Sequence, residues 1–502
     1  MCGIVALWNT GSAELAASML RKIAHRGPDE FVIERVAGGR GVLGHCRLSI
    51  IGPDNGRQPL HNRGHALVAN GEIYNHRELR AILGADQFRS DSDSEAIVQL
   101  CDASHNGLVG KRWVDRLDGM FAFVLCDNEK LIAARDPLGI KPLYMARLGE
   151  GLAFASEVKS FDGIPVEEVE ALPPGHLFDS RHGLRRWHRL PHGSASQEGG
   201  LDVGDLVKEL RLVLEEAVNK WSMSDVGFGA FLSGGLDSSI ISSLANKALN
   251  GGLRTFAVGV EGSPDLAAAR RVADHIGSQH HELRFTADDI AGAFSDVIYH
   301  LESPDVDLVR SAVPTHFAAL LAGRHVKVTL TGEGADELFA GYAYHKPYAG
   351  HPVPLAQEIT RSLATMHNIN LQRVDRLTMA QGLEARTPFL DRELIAFTQT
   401  IPAELKLRQD PTGEVIEKWI LRKACEDLLP SDVVWRHKAQ FDEGSGMIGS
   451  LQQALRIATG SDGHVDRQQE GDYYRSLVRE RFVDPERIFA TAGTWASDRV
   501  VT

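Results

Sequence analysis

Apolar positions along this chain follow two different periods, and the change between them divides it. In the first third, short apolar blocks at 3–7 and 117–126 alternate weakly or run continuously between glycines and polar turns, a pattern that predicts strands. The stretch 133–144 continues it as strands paired across turns. A polar, glycine-rich segment at 192–204 interrupts the pattern and marks a domain boundary. Beyond it, helical spacing at 206–218, 240–249 and 265–276 alternates with buried-strand runs at 226–232, 255–260 and 326–331. Strands alternating with helices imply a parallel, doubly wound sheet, whose ligands bind at the carboxyl ends of the strands. No internal repeat or low-complexity tract is evident.

Polar loops follow the first and third of these runs. SGGLDSS, residues 233–239, links a strand to a helix. Gly234 and Gly235 allow close approach of an anion, and the helix-start amides with the hydroxyls of Ser233, Ser238 and Ser239 supply donors. Asp237 is out of place as a phosphate ligand, but fits if it holds Mg²⁺ beside substrate phosphates. A lone Ser-Gly-Gly turn would be ordinary. The full motif resembles the loop of the N-type ATP pyrophosphatases, which cleave ATP between the α and β phosphates, and it lacks the lysine of a P-loop. The second loop, GEGADE at 332–337, taken alone reads as a solvated turn with helix-capping acids. Beside SGGLDSS, Asp336 is assigned with Asp237 to Mg²⁺ and Glu333 to an acyl-adenylate step.

Length and composition narrow the class. A chain of 502 residues with 43% hydrophobic and 24% charged positions holds two or three ordinary globular domains. No apolar run approaches membrane-spanning length, so no membrane partner is expected. A net charge of −13 and a pI near 5.9 speak against an extended nucleic-acid footprint. The five cysteines, Cys2, Cys46, Cys101, Cys126 and Cys425, are odd in number and widely spaced, unlike a disulfide framework or zinc module. A reducing, cytoplasmic setting is expected, and the start at 1–5 lacks the features of a secretory signal.

Cys2 alone reads as a buried structural cysteine. Removal of Met1 would leave a thiol beside a free α-amine that titrates near pH ~8, nucleophile and base in one residue. The company it keeps decides the matter. HRGPD at 25–29, GHCRLSII at 44–51, NGEIYN at 70–75 and SDSE at 92–95 together with Cys2 closely resemble the class II, N-terminal-nucleophile glutamine amidotransferases. That resemblance implies a four-layer αββα domain over 2–192 that hydrolyses glutamine to glutamate and ammonia. It makes Cys2 the nucleophile and Asn70 with Gly71 the oxyanion hole. Arg47 would receive the α-carboxylate of glutamine within the segment Leu48, Ser49, Ile50 and Ile51; Asp93 would meet the α-ammonium, and Glu72 would add an acceptor. ASEVK near 155–159 completes the pattern as scaffold and domain contact.

Taken with GLEARTPFLD at 382–391 and WRHK at 435–438, these motifs resemble the glutamine-hydrolysing asparagine synthetase family over nearly the whole chain. The resemblance implies an ATP-dependent synthetase domain over 205–460, with a tail at 461–502 that matches poorly and either wraps that domain or is disordered. ATP would lie on Leu232, Ser233, Gly234, Gly235, Leu236, Asp237, Ser238 and Ser239, with Leu232, Val258, Thr331 and Gly332 around the adenosine. Arg310, Glu333, Asp336 and Arg386 would bind the acceptor, and Lys438 would neutralise charge in the transition state. Glutamine, ATP and a carboxylic acid, aspartate first, are the implied partners, and a homodimer is compatible with the family.

One stretch departs from the family pattern. Where many members carry a Thr-Thr pair ahead of an arginine, this chain reads Asp307-Leu308 before Arg310. If Asp307 lined the acceptor pocket it would repel aspartate and favour a specialised acid; if it faced solvent or paired with Arg310, aspartate would stand. A third reading, a glutaminase or glutamine sensor with an inactive second domain, is opposed by the intact Asp237 and Asp336.

Overall fold

The computed structural model describes residues 2–106, 108–110, 112–191, 202–410, 412–436 and 447–493. Most of the boundary segment at 192–204, the end of the tail and Lys438 lie outside the described residues.

Strand β1 (Cys2–Trp8) is buried along its whole length because each face has its own partner. Ile4, Ala6 and Trp8 meet Val68, Ala122 and Val124 between two sheets, whereas Val5 and Leu7 pack on Met19 and Leu20 of helix α1 (Ala13–Arg21). With no solvent face, β1 reads as continuous rather than alternating. Eleven further strands complete this half: β2 (Glu30–Val36), β3 (Gly41–Arg47), β4 (Leu60–Asn62), β5 (His65–Ile73), β6 (Gly119–Cys126), β7 (Leu131–Arg135), β8 (Tyr144–Leu148), β9 (Gly151–Ala155), β10 (Val169–Ala171), β11 (His176–Asp179) and β12 (Gly183–Arg186). They form two antiparallel sheets, ordered β10-β8-β9-β1-β3-β2 and β12-β11-β7-β6-β5-β4. In β6, Ala122, Val124 and Cys126 face the intersheet core, while Phe121, Phe123 and Leu125 face outward under helices α2 (His76–Leu83) and α3 (Glu95–His105). The result is the expected αββα sandwich.

The second half begins with α4 (Val203–Trp221). It continues through β13 (Phe228–Phe231), α5 (Leu236–Ala248), β14 (Arg254–Gly259), α6 (Pro264–Ile276), β15 (Gln279–Arg284), α7 (Ala287–Leu301), α8 (Val306–Ala322), β16 (Val328–Leu330), α9 (Ala335–Phe339) and β17 (Glu384–Arg386). The five strands are parallel in the order β15-β14-β13-β16-β17. Phe256 and Val258 of β14 join α7 and α8 on one face, and Ala257 joins α5 and α6 on the other, so the sheet is doubly wound. Strand order reverses between β13 and β16, the switch point at which such sheets bind ligands.

The described part of the tail carries two helices. Tyr474, Leu477 and Val478 of the helix Arg467–Arg481 enter the same core as Phe294 and Val297 of α7. The following helix, Pro485–Thr491, reaches the first half, where Arg487 donates to the Ile164 carbonyl at 2.9 Å.

A layer of buried charge joins the two halves. Arg26 bonds Glu157 at 2.6 Å and Asp375 at 2.8 Å; Arg376 meets Glu302 at 3.0 Å; Lys159 meets Glu302 at 3.2 Å. Glu157 and Lys159 thus occupy the domain contact expected of 155–159.

Candidate active sites

Pairing of β1 with β3 sets Cys2 opposite Arg47, and β5 brings Asn70 to the same point. Asn70 follows Val68 by two residues and therefore faces the intersheet side where β1 begins. Its Oδ1 accepts from the Cys2 N–H at 3.0 Å, leaving the buried Nδ2 without a hydrogen-bond partner. An unsatisfied donor in a dry site is what a developing oxyanion requires. Gly71 has φ +140°, and any Cβ there would collide with the Met120 carbonyl of the adjacent strand. Burial pushes the Cys2 thiol up from 9.0, while the Leu48 amide and Arg47 oppose the rise.

Arg47 organises the loop that follows β3. Its guanidinium donates to the carbonyls of Gly52 at 2.6 Å and Pro53 at 3.2 Å, bracing the loop that carries Leu48 to Ile51. Leu48, Ile50 and Ile51 pack with Val328 and Met379 of the second half, so this loop is also a domain contact. Ser49 donates its amide to Asp29, which is also bound by Lys327 at 2.7 Å. Asp93 is buried, accepts from the Ile73 amide at 2.6 Å, and is pushed up to about 6 by burial. Glu72 is raised well above the carboxylate range by burial, then by Glu384 and Asp93.

In the second half, β13 is shorter than the expected 226–232. The Leu232 amide still bonds the Phe256 carbonyl at 2.8 Å, but the chain then turns to start α5. Gly234 has φ +74° and lies against the backbone of Ala268 and Ala269, with no room for a side chain. Ser233 and Ser238 hydroxyls meet at 3.0 Å across the loop. Gly332 approaches Asp237 and the Ser238 amide closely enough that a Cβ would clash at 2.8 and 2.9 Å. The SGGLDSS and GEGADE loops are therefore in direct contact, and Leu232, Val258, Thr331 and Gly332 stand at or just past the carboxyl ends of β13, β14 and β16.

Asp237 and Asp336 are brought together through a residue the sequence did not single out. Lys418, 2% exposed, places Nζ 2.5 Å from a carboxylate oxygen of each. Burial would lower its pKa, but the two aspartates overcome that and raise it. Gly341 keeps this contact open, since a Cβ there would overlap Asp336 and Lys418. Asp237 Oδ1 is buried without a hydrogen-bond partner. Two converging carboxylates, one with a spare oxygen, beside a phosphate-type loop fit Mg²⁺. Lys418 gave no signal of spacing or motif; it sits at φ +57° on the threshold of a short helix.

The residues expected to bind the acceptor have three different surroundings. Glu333 lies in the GEGADE loop and is ion-paired with Arg373. Its neighbour Glu337 is buried, bonds Tyr342 at 2.6 Å and Asn370 at 2.7 Å, and is pushed up to about 7 by burial and then by Asp336. Arg386, by contrast, is fully buried at the domain contact, donating to Glu384 at 2.5 Å and the Trp221 carbonyl at 2.9 Å, with Glu72 at 3.5 Å. Arg310 is held by Glu470 of the tail at 2.6 Å. Asp307 takes a partner other than Arg310. It is bound by Arg467 at 2.7 Å with its side chain 38% exposed. Of the two alternatives for Asp307, the pairing favours the paired, partly exposed one, with Arg467 in place of Arg310 as the partner.

The asparagine synthase family model matches residues 209–352 and 349–499, and the glutamine amidotransferase domain model matches residues 1–181. A glutamine-hydrolysing asparagine synthetase of Arabidopsis thaliana is 40% identical over 472 residues, spanning 89% of this chain and 79% of that one. One of Oryza sativa subsp. japonica is 40% identical over 512 residues, spanning 97% and 82%. One of Triphysaria versicolor is 39% identical over 520 residues, spanning 96% and 86%. With both domain types present in this order and relatives matched along most of their length, the chain belongs to the asparagine synthetase family.

Proposed function

We propose that this chain makes asparagine from aspartate, glutamine and ATP. The observation that carries the reading is the meeting of the SGGLDSS and GEGADE loops at the sheet's switch point, with Lys418 tying Asp237 to Asp336. In the first half, the Cys2 thiol attacks the glutamine side-chain amide after giving its proton to the α-amine freed by loss of Met1. Asn70 Nδ2 and the Gly71 N–H receive the oxyanion, and Arg47 and Asp93 hold the amino-acid end. Collapse breaks the C–N bond and expels ammonia with the proton from the α-amine, and water then hydrolyses the thioester to glutamate and the free thiol.

In the second half, the β-carboxylate of aspartate attacks the α-phosphorus of ATP, giving β-aspartyl-AMP and pyrophosphate. Ammonia then displaces AMP. Ser233 to Ser239 hold the phosphates, and Asp237 and Asp336 would hold Mg²⁺, which supplies positive charge at the phosphate oxygens when bound. Lys418 keeps the two carboxylates converged, and Glu333, oriented by Arg373, faces the acyl-adenylate step. Lys438 adds charge by family resemblance. For Arg310 to receive the acceptor's carboxylate, it must exchange Glu470 for it.

The test separates the halves. Cys2→Ala should abolish asparagine formation from glutamine and spare formation from added ammonia. ATP-dependent pyrophosphate release across a panel of carboxylic acids, with the product identified by mass, should require aspartate. Release with another acid and none with aspartate would replace the acceptor; no release with any would favour a glutaminase or sensor.

A further inference from the structure

At the end of β5 remote from Asn70, the fold gathers a second set of ligating side chains. His65 opens the strand, five residues and about 17 Å of extended chain from Asn70. Cys101 and His105 lie four apart on α3 and so share a face. One ligand atom from each of the three falls within 4.8 Å of the others. Cys101 Sγ is 3.7 Å from His105 Nδ1. Tetrahedral zinc, with bonds of about 2.3 Å to sulfur and about 2.0 Å to nitrogen, sets that separation at roughly 3.5 Å.

His65 is only 9% exposed, yet neither ring nitrogen makes a well-formed hydrogen bond. Two carboxylates flank it, Asp102 Oδ1 at 2.6 Å from Nδ1 and Asp127 Oδ2 at 3.5 Å from Nε2. Each is fixed from elsewhere: Asn62 donates to Asp102 Oδ2, and the amides of Glu129 and Lys130 donate to Asp127 Oδ1 at 2.7 and 2.9 Å. A carboxylate on one imidazole nitrogen is how proteins orient metal-binding histidines, a part Asp102 can play at Nδ1, and an ion on Nε2 would have Asp127 beside it. Asn62 and His65 also line a surface cavity of about 340 Å³. His105 has competing contacts. Its Nδ1 lies 2.9 Å from the Cys101 carbonyl, and its Nε2 lies 3.4 Å from Lys130 Nζ.

We propose that His65, Cys101 and His105 bind one divalent ion of the zinc class, with Asp102 orienting His65 and Asp127 beside the ion. The donor set of two imidazoles and a sulfur selects zinc or cobalt over magnesium. The ion joins α3 to β5 on the outer layer of the glutaminase half, apart from Cys2. A thiol ligates as the thiolate, so binding releases the Cys101 proton.

Cys2, with its thiol and amine, is a rival ligand, so the test uses full-length Cys2→Ala protein stripped by a chelator and titrated with Co²⁺. One equivalent should bind with tetrahedral d–d absorption and a thiolate-to-metal band, and Zn²⁺ should displace it. Cys101→Ser should abolish the thiolate band, and Asp102→Asn should weaken binding about 10- to 100-fold. Lys130→Ala should tighten it by removing a competing cation. If Cys101→Ser fails to fold, His65→Gln and His105→Gln carry the same readout. Absence of the band in Cys2→Ala protein, or its survival in Cys101→Ser, overturns the site and leaves His65 as an imidazole between two carboxylates.

Discussion

Arg310 donates through both Nε and Nη2 to Glu470, at 3.0 and 2.6 Å, and Glu470 is completely buried beneath it. One turn earlier on α8, Asp307 accepts from Arg467 at 3.0 and 2.7 Å. The two pairs cross in polarity, so the acid that departs from the family pattern is answered by a basic residue of the tail. Both are bidentate, a geometry that only a correctly seated tail helix can satisfy.

Asp307→Thr should therefore leave the aspartate KM within a few-fold, because an exposed pair contributes about 0.2–1 kcal/mol and faces Arg467 rather than the acceptor. Glu470→Gln should cost more, about 1.5–3 kcal/mol, through the loss of a charged hydrogen-bond partner. Thermal unfolding and acceptor kinetics on both variants check this. A tenfold fall in aspartate KM for Asp307→Thr would restore the repulsion reading.

Lys418 neutralises two aspartates that would otherwise repel each other in a partly buried site. Lys418→Met should lower aspartate-dependent pyrophosphate release about 100- to 1,000-fold, the scale seen when one preorganised charge donor is removed. Glutamine hydrolysis should continue. Half-saturating Mg²⁺ should fall, since the cation that competes for Asp237 and Asp336 is gone. Unchanged pyrophosphate release would make Lys418 a fold residue only.

Asp93 gives the glutamine site a pH dependence of known sign. Its pKa is raised to about 6 chiefly by burial, so in the free enzyme it is protonated below that pH and loses its charge toward the α-ammonium. The KM for glutamine should rise roughly tenfold per pH unit below 6, with kcat changing less. Asp93→Asn keeps an acceptor for the Ile73 amide but no charge. It should raise KM about 10- to 100-fold and remove the acid limb. Steady-state kinetics from pH 5 to 8 decide it.

What the sequence disclosed was governed by locality. SGGLDSS could be placed because the strand, turn and helix that make it are contiguous, and Cys2 because its partners sit on motifs at strand ends. Strand β15, Gln279–Arg284, was invisible because it is a polar edge strand without an apolar face. Strand β17, Glu384–Arg386, was invisible for the opposite reason: its charges are buried and paired across the domain contact. Lys418, Glu470 and Arg467 act on residues 82 to 181 positions away, a relationship no local period records. Arg386 was readable as part of a motif, but its side-chain direction was not.

The buried charge between the halves leads to the last prediction. Burial alone would raise Glu157, but Lys159, Arg376, His25 and Arg26 hold it well below the carboxylate range, and Asp375 is likewise lowered by Arg26 and Lys141 against its burial. Lowered folded-state pKa values mean that this stabilisation is present above the unfolded value near pH ~4 and is lost as pH falls through the folded values. Arg376→Met leaves Glu302 with Lys159 as its remaining cation and removes part of the pairing of Glu157 in the interior, which should cost about 3–5 kcal/mol at neutral pH. Acid weakens that penalty by protonating the orphaned carboxylates, so the gap to the native protein in denaturant midpoint should narrow from pH 7 to pH 4. Because Arg376 also donates to the Ser156 carbonyl across the contact, at 3.1 Å, the two halves should separate in function as well as in stability. The ratio of glutamate released to asparagine formed should then exceed its value in the native protein. An unchanged ratio with a lowered midpoint would assign the layer to stability alone, and no change in either would remove it from both.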